Sequence, residues 1–327
     1  MNLAVVVPVR DAQHLLGDCL AAVNDQTRPA DAIVIVVAPS RDETRALAGQ
    51  HSGPATVVLD NPAGDRGSAI NRALDYTDAD VIAMVDAQAR LAPDYFETAL
   101  AALERHQANV VGGPMRPLGR TTVGWAMAAA LRSPFGIGDS QFHFAGPARE
   151  VESVYLGIYR SSVFERVGRY NPALLRTEDD DMNTRVREAG MRIWIDPAIR
   201  STYLCRDSIP DIWRQYHGYG YWKVALATAR PGAIRARHLV PAVFVLGVSG
   251  AGAVSAFLWS PALPLLAGSY LAAAGTAAIL ADVEGLPARL VFPIVTLTMH
   301  LAYGFGTLRG LIAWPRLKAL VRASDRD

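Results

Sequence analysis

From Leu239 to Ala281 the chain carries no Asp, Glu, Lys, Arg or His. No other feature restricts the fold so tightly. A helix in the core of a soluble domain is rarely uncharged all round for so long. Inside a bilayer only a helix or a closed barrel satisfies every backbone N–H and C=O. Ser260-Pro261 and Pro264 divide the run, so two helical spans are expected, at about 240–258 and 263–281. Beyond the polar loop Asp282–Arg289 a third apolar stretch covers about 290–308. It holds His300 and several glycines, and it either spans or packs inside a bundle. Composition agrees with a membrane segment: the 327 residues are 51% hydrophobic and 19% charged, against about a quarter charged in soluble domains.

Arg230, Arg235, Arg237 and His238 precede the first span. The positive-inside rule then places the N-terminal half in the cytoplasm, in a multi-pass protein of the cell membrane. Three spans would carry Arg316, Lys318, Arg322 and Arg326 outside, against the same rule. Either a re-entrant third segment or a dominant bias from the N-terminal side would remove that conflict. The expected organisation is a domain over 1–229 and a membrane domain over 230–327.

The N-terminal half alternates strand and helix signals. Leu3–Val7 is a short β-branched run of the kind found in central parallel strands. With no basic leader and little apolar length, MNLAVVVPVRDA is expected to be a buried strand and not a signal peptide. Helices are expected over Arg10–Ala22, after Arg41, over Gly67–Tyr76 and over Pro93–His106. Further strands are expected at Ala32–Val37, Ala55–Leu59, Asp80–Val85 and Asn109–Gly112. That order implies a mostly parallel sheet with helices on its faces, and such sheets bind ligands beyond the C-terminal strand ends. Arg10-Asp11, Asp42 and Asp86 fall there. Gly112–Pro147, rich in Gly and Pro, is expected as loops around a helix Val123–Leu131. The net charge of +1 gives no reason to expect nucleic acid as a partner. Cys19 and Cys205, with no metal-like spacing, are expected as reduced thiols.

Three segments carry chemistry. Glu178-Asp179-Asp180-Asp181 precedes a helical pattern, Asn183–Ala189, that ends at Gly190. So much negative charge repels itself unless a metal, an arginine or a substrate proton answers it; a solvated helix N-terminus is the plainer reading. Asp179 is placed to present a carboxylate as a general base, with Asp180 and Asp181 as caps. Asp86 ends a buried strand, where a carboxylate either holds a divalent cation or caps a helix. Arg214–Lys223, RQYHGYGYWK, mixes rings and positive charge just before the first span, which suits an interfacial belt, a phosphate or a sugar. No dinucleotide fingerprint, phosphate loop, zinc spacing or nucleophile elbow occurs in the sequence.

In order and spacing, VVVPVRDA (5–12), VDAQARLAPDYF (85–96), SPFGIG (133–138), Thr177–Asp181 and RQYHGYGYWK resemble family 2 glycosyltransferases. The nearest likeness is to membrane enzymes of the succinoglycan-biosynthesis type. The resemblance implies an α/β GT-A fold, Rossmann-like with a mostly parallel sheet, plus C-terminal transmembrane helices. It implies that Pro8, Val9 and Asp11 line a nucleotide pocket, with Ser40 and Asp42 in the turn after the second strand. Arg66 and Asn71 would belong to the segment that closes over the donor. Asp86 matches the first Asp of the family's Asp-x-Asp, and Gln88 stands where the second metal-site Asp would be. Asp179 matches the catalytic base, with Glu178 near the acceptor. Gln215 opens the family's Gln-x-x-Arg-Trp element, whose Arg-Trp is Gly218-Tyr219 here, so that Lys223, Arg214 or Tyr219 would substitute. The Asp usual at the end of the second strand is Ala38.

The expected activity is inverting transfer of a hexose from a nucleotide-sugar donor to a lipid-linked, polyprenyl-borne saccharide in cell-surface polysaccharide synthesis, assisted by Mg²⁺ or Mn²⁺. The alternatives are a polyprenyl-phosphate sugar synthase and a non-catalytic sugar-nucleotide-binding scaffold of an export complex. Oligomeric state is not legible in the sequence.

Overall fold

In the computed structural model, which describes residues 1–51, 53, 55–144 and 146–324, the chain divides into two compact units. The first comprises Met1–Arg116 and Gln141–Tyr203; the second comprises Pro117–Ser140 and Leu204 onward. The units are therefore cut elsewhere than the membrane boundary expected at residue 229. Arg326 lies outside the described residues, as does Ala145 in the Gly- and Pro-rich stretch.

The strands, in chain order, are β1 (Leu3–Val9), β2 (Ala32–Val37), β3 (Thr56–Asp60), β4 (Val81–Met84), β5 (Ala89–Leu91), β6 (Val110–Gly113), β7 (Arg116–Leu118), β8 (Arg149–Glu150), β9 (Tyr155–Arg160), β10 (Ile193–Ile195) and β11 (Ser201–Leu204). Eight of them form one sheet in the first unit, ordered β3-β2-β1-β4-β9-β6-β10-β8. β1, β2, β3 and β4 are mutually parallel, β9 lies antiparallel between β4 and β6, and β10 is parallel to β6. β11 pairs antiparallel with β5.

Residues Leu3–Val7 of β1 and all of β4 are buried, as strands covered on both faces must be. After β1 the chain winds outward to β2 and β3, then returns to the other side of β1 as β4. The order of strands reverses there, and the crevice at the C-terminal ends of β1 and β4 is where open α/β sheets take their ligands. Asp86 stands two residues beyond β4, with the Val85 N–H donating to Val6 O at 2.9 Å.

Two helices depart from expectation for visible reasons. The helix after β1 begins at Leu16, not Arg10. Asp11 has φ +47°, which a helix cannot continue, and the Ala12 N–H donates to Thr44 Oγ1 at 2.7 Å instead of entering a helical ladder. The helix expected from Asn183 begins at Glu178, so the acidic run is itself the first turn. Carboxylates there complement the helix dipole. The same helix is pinned by Arg185, which donates through Nε to Asp181 at 2.9 Å, and it stops at Gly190, where φ is +73°.

The second unit is helical. Ala236–Leu258 (α-helical over Val240–Leu258), Ala262–Leu280 and Leu286–Ile312 are each long and apolar enough to cross a membrane. They are joined by Thr122–Leu131, Pro134–Ile137, Ile209–Ala229 and Trp314–Ser324. The aromatic and basic segment Arg214–Lys223 lies wholly within Ile209–Ala229. That helix meets Leu286–Ile312 along a seam of glycines. A Cβ on Gly220 would sit 2.1 Å from Tyr303 O, and one on Gly306 would sit 2.1 Å from His217 O. Small residues that admit backbone-to-backbone approach are the usual means of joining apolar helices.

Gly306→Val is expected to force this seam apart and cost about 1–3 kcal/mol. Gly275→Val, where an added Cβ meets nothing within 4 Å, is expected to leave the unfolding midpoint in detergent nearly unchanged. Equal midpoints for the two variants would contradict the seam.

Candidate active site

The acidic run's positive partner is Arg66. Its guanidinium Nη1 donates to Asp179 Oδ1 and Oδ2 at 2.8 and 2.9 Å and to Glu178 Oε1 at 3.1 Å, while Nη2 donates to Asp86 Oδ1 at 3.1 Å. One cation thus joins two distant parts of the sequence at the strand-end crevice. Arg66 is set there by the helix Arg66–Tyr76, whose first N–H groups are capped by Asp65, which accepts from Ser68 N at 2.7 Å. The preceding turn is held by Asn61, whose Nδ2 donates to Asp65 O at 2.7 Å.

The carboxylates differ in environment. Glu178 is 8% exposed, whereas Asp179 is 49% exposed and opens to solvent. Burial, then the neighbouring charge of Asp179, push the Glu178 carboxyl up to about 7 against the pull of Arg66. Glu178 Oε2 is buried with no hydrogen-bond partner among the described residues. Withdrawal from water also raises Asp179, opposed by Arg66. The site therefore sets a half-exposed Asp179 carboxylate beside a buried Glu178 carboxyl, with withdrawal from water raising both and Arg66 opposing it in each.

Other residues expected at the site fall into two groups. Asp11, Ser40 and Asp42 meet beyond β1 and β2: the Asp11 N–H donates to Ser40 Oγ at 3.1 Å, and Asp11 Oδ1 accepts from Arg41 N at 2.8 Å. Asp42 Oδ2 accepts from Gln13 N at 3.1 Å, and Asp42 Oδ1 accepts from the Thr44 hydroxyl at 2.5 Å. Asp42 thus organises the loop with both oxygens. Pro8 and Val9 are the last residues of β1. Ala38, buried, donates to Val9 O at 2.9 Å and closes the second strand without a carboxylate. Asn71 spends its amide on the backbone of Tyr170, donating at 2.8 Å and accepting at 2.9 Å, and so clamps the 170s loop to the helix that carries Arg66. Gln215 and Lys223 belong to the second unit, where Gln215 Nε2 donates to the Tyr219 hydroxyl at 2.9 Å.

Sequence reasoning missed the role of Arg66 as counter-ion, asking for a metal, an arginine or a substrate proton without fixing on that residue. An arginine directly after the Asp65 cap, facing a strand-end Asp in a parallel sheet, was the available signal. It also missed the backbone of Asp86, whose carbonyl accepts from the buried thiol of Cys19 at 3.4 Å. Both cysteines are buried, and among the described residues neither forms a disulfide. Among the described residues no group of three or more His, Cys, Asp or Glu side chains could hold a metal ion.

The profile of the family described as glycosyl transferase family 2 matches residues 4–168, from β1 through the antiparallel strand β9. The chain belongs to that family. A succinoglycan biosynthesis protein of Rhizobium meliloti, ExoA, is 25% identical over 321 residues, 96% of either chain. Among solved structures, the mannosyltransferase PcManGT from Pyrobaculum calidifontis, in complex with GDP-Man and Mn²⁺, superposes with a TM-score of 0.59 at 19% identity, over 95% of this chain and 87% of that one. S. aureus TarS 1–349 in complex with UDP-GlcNAc gives 0.54 at 15% identity, over 97% and 92%. These likenesses establish the GT-A fold for this family 2 glycosyltransferase.

Because the folded Glu178 binds its proton more tightly than the unfolded chain does, its contribution to stability is full below about 4.5 and is lost as pH rises to about 7. Thermal unfolding between pH 5 and pH 8, followed in parallel, is expected to show Glu178→Gln losing less stability than the parent, by at most about 3 kcal/mol. Identical slopes would place the proton elsewhere.

Proposed function

We propose that this glycosyltransferase moves a hexose, with inversion, from a nucleotide-sugar donor to a lipid-linked saccharide in polysaccharide biosynthesis. The observation that carries the reading is the Arg66 cluster: a half-exposed Asp179 at a helix N-terminus, held by Arg66 to the strand-end Asp86. Family membership and the likeness to ExoA support sugar transfer and polysaccharide biosynthesis. The neighbours with GDP-Man and UDP-GlcNAc support a nucleotide-sugar donor. The three apolar helices support an acceptor that enters from a bilayer.

In this reading Asp179 accepts the proton of the acceptor hydroxyl as its oxygen attacks the anomeric carbon. The bond from that carbon to the donor phosphate breaks, and the leaving nucleoside diphosphate carries away the electron pair. A positioned base contributes about 10²–10⁴-fold to such a step. Arg66 keeps Asp179 ionised and aimed, at some expense to its basicity. Glu178, carrying a proton near neutrality, leaves Asp179 as the charged member of the pair. Asp86 and Gln88 supply a carboxylate and an amide oxygen two residues apart, which suits a hard Mg²⁺ or Mn²⁺ shared with substrate phosphates better than one held by protein alone. Such an ion would supply positive charge to the leaving diphosphate.

Asp179→Asn is expected to lower kcat about 100-fold or more while leaving nucleotide-sugar binding intact; near-normal transfer in purified membranes would remove Asp179 from the base role. A screen of nucleotide sugars for thermal stabilisation, with and without Mn²⁺, identifies the donor. Gln88→Asp is expected to lower the Mn²⁺ concentration needed for half-maximal stabilisation. Sugar appearing on bare polyprenyl phosphate would replace the saccharide acceptor with a lipid phosphate.

A further inference from the structure

The third apolar helix of the second unit, Leu286–Ile312, touches both spans at His300, whose Nδ1 lies 2.9 Å from the Tyr270 hydroxyl of the second and whose ring meets Phe244 of the first. Its C-terminal part lies against the polar helix Ile209–Ala229, which carries Asp211, Arg214 and Lys223 and is not among the helices able to cross. Gly306 faces His217 O, and a Cβ on Gly310 would lie 2.9 Å from Tyr221 O. The Arg309 guanidinium sits 5.6 Å from the centre of the Tyr221 ring. Gly304 abuts Pro241 O, where a Cβ would lie 2.3 Å away, in the first turn of Val240–Leu258. Residues from about 304 onward therefore lie at the end of the first span where the chain goes in.

The other end of the same helix returns to that side as well. Val240–Leu258 and Ala262–Leu280, of 19 residues each, are joined by a tight turn in which the Leu263 N–H donates to Ser255 Oγ at 2.8 Å. A helix of that length covers about 28 Å, enough for one crossing. Two crossings bring Asp282 back to the near side, the side of Ile209–Ala229. Arg132 meets it there, donating to Asp282 O at 3.3 Å, and Arg132 caps Thr122–Leu131, a helix too short to span. Protein also covers the third helix far more than its partners: 44% of its apolar window is buried, against 11% in each of the other two.

We propose that the chain crosses the membrane twice, that Leu286–Ile312 lies along the near face with both ends on one side, and that the terminal helix Trp314–Ser324 rests on anionic phospholipid headgroups of that face. Leu317 and Val321 of the terminal helix are buried, and the helix packs against Ile209–Ala229. Arg316 and Arg322 are exposed and Lys318 is half-buried, with no acidic residue anywhere in Trp314–Ser324. An all-positive helix packed against Ile209–Ala229 and Leu286–Ile312 complements an anionic surface, and each such residue contributes to attraction within a screening length of it. The arrangement also puts Arg316, Lys318 and Arg322 on the same side as Arg230, Arg235 and Arg237, as the positive-inside rule requires. The inference is independent of which sugar is transferred.

Single cysteines at Gly232, Trp259 and Ala323, reconstituted in sealed vesicles and treated with a membrane-impermeant maleimide, test the crossing number. Ala323→Cys is expected to share the sidedness of Gly232→Cys and oppose that of Trp259→Cys; labelling together with Trp259→Cys would restore three crossings and overturn the proposal. Hydrogen exchange in nanodiscs tests the surface. Exchange over 314–324 is expected to slow about fivefold or more in phosphatidylglycerol relative to phosphatidylcholine. The difference should vanish in high salt and in the Arg316→Ser/Lys318→Ser/Arg322→Ser variant. Equal exchange in the two lipids would exclude the headgroup contact.

Discussion

The first unit's functional end depends on one guanidinium. Asp86, Glu178 and Asp179 come from a strand end and a helix N-terminus more than ninety positions apart, and Arg66 donates to all three. Without a cation at that point the three carboxylates would repel one another, and a partly buried group of like charges is among the more costly arrangements a fold can hold. The helix dipole of Glu178–Glu188 offsets part of that cost, and uptake of a proton by Glu178 offsets more. What remains is a site in which one guanidinium offsets part of the carboxylate charge, yet whose Asp179 keeps about half its surface open.

This balance gives a physical reason for Gln88. In the family pattern a second carboxylate stands at that position. Here it would add a further negative charge two positions along the chain from Asp86, whose cluster is already served by a single arginine. A neutral amide keeps an oxygen available to a hard cation without adding repulsion. The departure at residue 88 and the arginine at residue 66 are consistent with each other: a chain that supplies its own counter-ion has less need of a second carboxylate.

Much of this was legible in the sequence, for identifiable reasons. β1, β2, β3 and β4 are short apolar runs each followed within two residues by Pro or Asp, and parallel strands leave that signature. The apolar helices announced themselves by the absence of charge. The hidden parts were those fixed by tertiary context. Tyr155–Arg160 has no clean period, and Gly157 interrupts it, yet it becomes the antiparallel strand that joins β4 to β6. Arg10 to Leu15 looks helical until Asp11 is seen at positive φ, held by the loop of Ser40–Thr44. Arg66 was visible as a residue but not as a partner, because sequence gives no distance between residue 66 and residue 179.

The aromatic and basic segment shows the same limit in a different solvent. Read along the chain, Arg214–Lys223 is an interfacial belt or a ligand site, and composition does not separate the two. In the fold Gly220 is not a spacer: it lets the helix approach Tyr303 and Thr307 to a distance that any Cβ would forbid. The face of the helix that bears glycine is therefore committed to protein packing. Two of its rings are committed as well, Tyr221 beneath Arg309 and Trp213 against Phe305, so any contact this helix makes with headgroups or substrate falls to its other side chains. A polar helix cannot leave water for a bilayer core without unpaired charge, so the glycine seam fixes the depth of whatever it binds. Leu286–Ile312, apolar enough to cross, is held at that same depth by a neighbour that cannot.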